Sequence, residues 1–131
     1  MQQKLTQIFE QMAGELPGYQ AAAVVSRDDG LTIVEVSRQD SSETAAAAAY
    51  LASIAKSNAK AIKLLPDEQT TDAILVSTDL HYFLIYDIPG QPLFVFLMVH
   101  RDEWMGKVRM VADKFQPDLI KLLQSGIAID D

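Results

Sequence analysis

Two apolar runs, YFLIYDI (82–88) and LFVFLMV (93–99), flank PGQP (89–92), which reads as a turn. Neither run alternates apolar with polar residues. An antiparallel strand with one wet face shows that alternation, so strands lacking it are covered on both faces. The chain must therefore place helices on both sides of its sheet.

The rest of the sequence supplies them. Leu5, Ile8, Phe9 and Met12 fall at i, i+3, i+4 and i+7 within residues 2–13, one face of a helix that Gly14 and then Pro17-Gly18 bring to an end. AAAVVS (21–26) and LTIVEVS (31–37) read as strands around RDDG, where Gly30 can take a positive φ. Asp28 and Asp29 in that turn lack the further oxygen ligands of a calcium loop. A long helix follows, with Ser41, Ser42 or Thr44 as N-cap and Lys60 and Lys63 near its end, where cations suit the helix dipole. DAILVS (72–77) is a strand, and TDLH (78–81) joins it to the first apolar run. A last helix runs from about Asp102, with Trp104, Val108, Val111, Phe115, Leu119 and Leu122 on one side. Pro117 inside it predicts a kink or restart. The order is α-β-β-α-β-β-β-α, an α+β fold with a five-stranded antiparallel sheet between one helix and two. Residues 1–124 form one domain, and SGIAIDD (125–131) is a tail expected to fray.

The middle helix is unusual in its apolar residues. Over residues 44–63, Ser53, Lys56, Ser57, Lys60 and Lys63 share a polar sector, while Ala47, Leu51, Ile54 and Ile62, interrupted by Asn58, make a stripe large enough to pack on a sheet. Beside it runs a second stripe of alanine alone: Ala45, Ala48, Ala52, Ala55 and Ala59. One reading is that alanine, the best helix former, fills positions of no consequence. The other is that small side chains let a second helix approach closely. The first and last helices are needed on the opposite sheet face, so that second helix is expected from another copy of the chain, across a two-fold axis.

The element order, the segment LPGYQAAAVVSRDDG (16–30) and the alanine-rich second helix resemble the Roadblock family. That group includes dynein light chains, subunits of lysosomal GTPase scaffolds and bacterial partners of Ras-like GTPases. The resemblance spans about residues 3–124. It implies one helix on one sheet face and two on the other, with dimers formed through the second helix and third strand. Carried to this sequence, the interface is Ala48, Ala52, Ala55 and Ala59 with Ile74, Leu75 and Val76 of DAILVS. Ala21-Ala22 stand where many members place a glycine after the Pro-Gly turn.

No motif for chemistry is found. The six glycines form neither GxxxxGK[ST] nor GxGxxG, and MGKV (105–108) lacks the rest of a phosphate loop. The chain has no cysteine, and His81 and His100 have no HxxxH spacing, so no metal site or cofactor is expected. GxSxG is absent, and in HRDEW (100–104) Asp102 reads as a helix N-cap rather than a general base. Arg27, Arg38, Arg101 and Arg109 read as surface residues rather than arginine fingers. A net charge of −7, from 11 basic and 18 acidic residues, argues against nucleic acid and anionic membranes as partners. No leader or span is evident, and a cytoplasmic location is expected.

The resulting expectation is a non-catalytic homodimeric adaptor for a small Ras-like GTPase. Its partner would meet Ala46, Tyr50, Ser53, Lys56, Ser57 and Lys60 on the outer sector of the second helix. An alternative is a small acidic dimeric secretion chaperone, whose family places three strands before the central helix where this chain has two. A ligand-sensing domain is a third reading, which would carry a sizeable pocket.

Overall fold

The structure, a computed structural model, describes residues 2–38 and 41–125, the side chains of 41–43 excepted. Its elements are α1 (Gln2–Glu15), β1 (Tyr19–Ser26), β2 (Thr32–Ser37), α2 (Ser41–Lys63), β3 (Ile74–Ser77), β4 (His81–Asp87), β5 (Leu93–His100) and α3 (Met105–Gln124). The expected order holds. The strands form one antiparallel sheet in the spatial order β2-β1-β5-β4-β3.

The apolar run at 93–99 is explained by position: β5 is the central strand, and each of its residues from Leu93 to Val99 is buried. Its side chains alternate between two cores. Leu93, Val95, Leu97 and Val99 join Leu5, Phe9 and Met12 of α1 and Val108, Val111, Phe115 and Leu119 of α3. Phe94, Phe96 and Met98 point the other way, to Ala48, Leu51, Ala52 and Ala55 of α2.

That second core answers the question the alanines raise. Ala48, Ala52 and Ala55, expected to meet a second helix, are buried on the protein's own sheet at 0%, 4% and 1% exposure. They lie in one core with Ala21 and Ala23 of β1. Small side chains on both surfaces let the helix lie close to the strand, at the cost of a modest burial term. One CH₂-sized group contributes about 0.8 kcal/mol, against roughly 1.5–3 kcal/mol for a whole leucine side chain. The sheet-facing stripe is therefore rotated from the expected one: Ala47 is half-buried and Ile54 exposed, while Leu51 alone of that set is fully buried. The nearest strands to α2 are β1 and β2. At the far edge of the same face, Ile74, Val76 and Phe83 are only half-buried.

Close approach recurs at the β1–β2 turn. Gly30 has φ of +74°, and a Cβ there would stand 3.2 Å from the Cα of Ala49 on α2. Both the backbone conformation and the space require glycine. The turn is closed by Ser26 N–H to the Leu31 carbonyl at 2.8 Å and Gly30 N–H to the Ser26 carbonyl at 2.9 Å.

Several boundaries differ from expectation. α1 continues through Gly14 to Glu15. Thr44 is not a cap but lies inside α2, buried, with its hydroxyl 3.1 Å from that of Ser37. Ser41 and Ser42 as caps fall on side chains outside the described residues. Asp102 is not the cap of α3 either. The cap position is Trp104, without a side-chain cap bond, and Asp102 N–H instead donates to His100 Nδ1 at 3.1 Å. Pro117 neither ends nor restarts α3, which is one helix of 20 residues. His81 opens β4 rather than sitting in a turn. Gly126 to Asp131 of the tail lie outside the described residues.

Candidate interaction surface

With Ala48, Ala52 and Ala55 against the sheet, α2 presents a different, largely apolar line on its outer side. Ala47, Tyr50, Ile54, Ser57, Ala61 and Leu64, the last just past the helix end, follow the alternating three- and four-residue steps of a helix–helix seam. Tyr50 is 78% exposed, Ile54 39% and Leu64 87%. Tyr50 and Ile54 share a face one turn apart, so they form one patch rather than scattered residues.

The open sheet edge across this face from β2 is β3, which among the described residues pairs with β4 alone, in the register Ile74↔Ile85 to Ser77↔Tyr82. Among its residues Ile74 and Val76 are half-buried, Ile74 packing against the α2-side core, and Leu75 is 49% exposed. The strand contains neither lysine nor proline, the usual protections of an open edge. Of the expected interface set, Ile74, Leu75 and Val76 lie on this edge. Ala59 is half-buried near the end of α2, and Ala48, Ala52 and Ala55 do not reach the surface.

The expected partner-facing residues Ala46, Tyr50, Ser53, Lys56, Ser57 and Lys60 are all exposed. Lys56 is not a free cation, since its Nζ donates to the Asp28 carbonyl at 2.7 Å and ties α2 to the β1–β2 turn. In the same turn the Leu31 N–H donates to Asp29 Oδ1, and this bond above all lowers the Asp29 carboxyl below its ordinary range.

Several chemistry-bearing groups elsewhere are tied to neighbouring residues. His81 and His100 are cross-strand partners with ring centroids 6.0 Å apart. Among the described residues no group of three or more His, Asp or Glu is placed to hold a metal ion. Arg38 donates to the carbonyls of Ala13, Pro17 and Tyr19, Arg101 to Ser77 Oγ and the Thr78 carbonyl, and Arg109 to Asp72 at 2.9 Å. Glu35, on the edge strand β2, has its carboxyl raised by burial, with a bond to Thr44 opposing. No helix among the described residues is long and apolar enough to cross a membrane.

The missed surface had a signal in the sequence. AAAVV in β1 places alanine at alternate positions, matching an alanine stripe on a helix laid over it. The line of Tyr50, Ile54 and Leu64 was then left without a partner.

No protein-family model matches the sequence, and no curated relative is found by sequence. Solved structures do match. The structure is similar to Myxococcus xanthus MglB with a TM-score of 0.82 at 14% identity, covering 95% of this chain and 90% of that one. An MglB described as having a tetrameric arrangement gives 0.79 at 17% identity, with 94% and 90% covered. A Roadblock/LC7 domain from Streptomyces avermitilis gives 0.70 at 15% identity, with 88% and 97% covered. At such identities the likeness speaks to backbone architecture alone. With its five-stranded sheet, one helix on one face and two on the other, the chain has the Roadblock fold.

Proposed function

We propose that the protein is a homodimeric adaptor that binds a small Ras-like GTPase by contact rather than by chemistry on the nucleotide. The observation that carries this reading is the exposed α2 seam together with the open β3 edge, whose Ile74 packs on the α2 side of the sheet. Antiparallel pairing of β3 with its copy would extend the sheet across a two-fold axis and bring the two α2 seams together. Tyr50, Ile54 and Leu64 would then be covered, along with Ile74, Val76 and Phe83 at the sheet margin. Lys60, Ser53 and Ala46 on the flank of the seam would remain available to a partner. The Roadblock resemblance supplies the partner's class. Two strands before α2, rather than three, favour the adaptor over a secretion chaperone.

A protein acting by contact alone changes a GTPase only through unequal affinity for its states. The test is calorimetry with a Ras-like GTPase of the same organism, loaded with GDP or with a non-hydrolysable GTP analogue. Unequal affinities are expected. Equal affinity would leave a passive anchor, and no binding to either form overturns the GTPase reading.

A further inference from the structure

The end of α2, the connection to β3 and the β4–β5 turn enclose an open cleft of about 920 Å³, within the range of small-molecule sites. Ile62, Leu65, Pro66 and Pro92 give it apolar walls, and Arg27 and Asp87 both line it. These two side chains are 28% and 25% exposed, and Arg27 Nη1 stands 3.6 Å from Asp87 Oδ1. That separation makes an ion pair but not a hydrogen bond. The Asp87 Oδ1 atom is buried without a hydrogen-bond partner. Burial raises the Asp87 carboxyl, and Arg27 only partly opposes it. The backbone of Arg27 is fixed by its own N–H bond to the Pro92 carbonyl at 2.9 Å.

Two opposite charges, partly withdrawn from water and without a hydrogen bond between them, gain from further groups that complete them. On the part of each side chain that still faces the cleft, the complementary groups would be a cationic donor for Asp87 and an anionic acceptor for Arg27, a short distance apart. An α-amino acid carries both on one carbon. We propose that this cleft binds a free α-amino acid, its ammonium on Asp87, its carboxylate on Arg27 and its side chain against Ile62 and Leu65. The site does not use the α2 seam, so it stands or falls separately from the GTPase reading.

The experiment is a set of amide ¹H–¹⁵N spectra of the full chain, titrated with L-leucine, L-glutamine and L-arginine at millimolar concentration. At least one should give saturable shifts of the Arg27, Thr70, Gly90 and Gln91 amides. Its carboxamide, lacking the carboxylate, and its des-amino acid, lacking the ammonium, should bind at least about tenfold more weakly. Asp87→Asn should weaken binding to a similar degree while the remaining resonances stay in place. Arg27→Gln provides a second, independent loss. The proposal is overturned if none of the three amino acids gives a saturable shift. It is equally overturned if the truncated compounds bind as well, or if Asp87→Asn binds unchanged, since solvent then completes the pair.

Discussion

Glu103 Oε1 accepts a hydrogen bond from the Gly18 amide at 2.7 Å, joining residues 85 positions apart in sequence. The contact locks the turn between α1 and β1 onto the start of α3. The Gly18 carbonyl completes the junction by accepting the His100 N–H at 2.7 Å. A charged acceptor makes this one of the stronger single bonds of the fold. Glu103→Ala is expected to lower stability by about 1.5–3 kcal/mol, read by urea denaturation. Glu103→Gln, which can still accept, should lose less. Equal loss in both variants would mean that packing, not the bond, is what Glu103 provides.

The two positive-φ glycines separate backbone strain from close approach. Gly90 has φ of +78° with nothing within 4 Å of an added Cβ, whereas Gly30 combines φ of +74° with the 3.2 Å approach to Ala49. Alanine at Gly90 should cost about 1 kcal/mol from the backbone alone. Alanine at Gly30 should cost more, because α2 must move away from the turn. Thermal melts of both variants check the order, and a larger loss at Gly90 would contradict it.

Placement of the alanines decides which substitutions would break the proposed dimer and which would break the fold. Ala52→Glu puts a carboxylate under the sheet, where an unpaired buried charge costs several kcal/mol, and should unfold the protein. Tyr50→Glu and Ile54→Glu act at exposed positions. They should leave the circular dichroism native while light scattering reports a monomer. A folded Ala52→Glu monomer would revive the alanine stripe as the interface, and a dimer surviving both seam variants would exclude the seam.

Glu35 gives a pH signature. Its folded carboxyl titrates above the ordinary 4.5 because of burial, so just above that pH the folded state binds more protons than the unfolded one. Stability therefore falls as pH rises through this window, and the loss persists above it. Glu35→Gln removes the titration. At pH 7 the variant is expected to be more stable than the parent, with the gap closing as pH falls towards 4.5. A gap that is constant with pH would assign the difference to packing instead.

The sequence by itself determined the elements, their order and the need for helices on both sheet faces. The reason is that unbroken apolar runs such as 93–99 and the Gly30 turn constrain the chain locally. The boundary error at Thr44 arose where its hydroxyl met that of Ser37 across space, and the one at Asp102 because α3 begins only at Met105, with Trp104 at the cap position. Only the tertiary structure decided the rotation of α2 about its axis. On a helical wheel the leucine and isoleucine stripe and the alanine stripe are adjacent, and either can face a sheet. What settles the choice is the surface opposite, where Ala21 and Ala23 of β1 leave room for a helix brought in on Ala48, Ala52 and Ala55. The same rotation turns Tyr50 and Ile54 outward. Strand order, likewise, set Arg27 from the β1–β2 turn beside Asp87 at the end of β4, a meeting of residues 60 positions apart that no local pattern encodes.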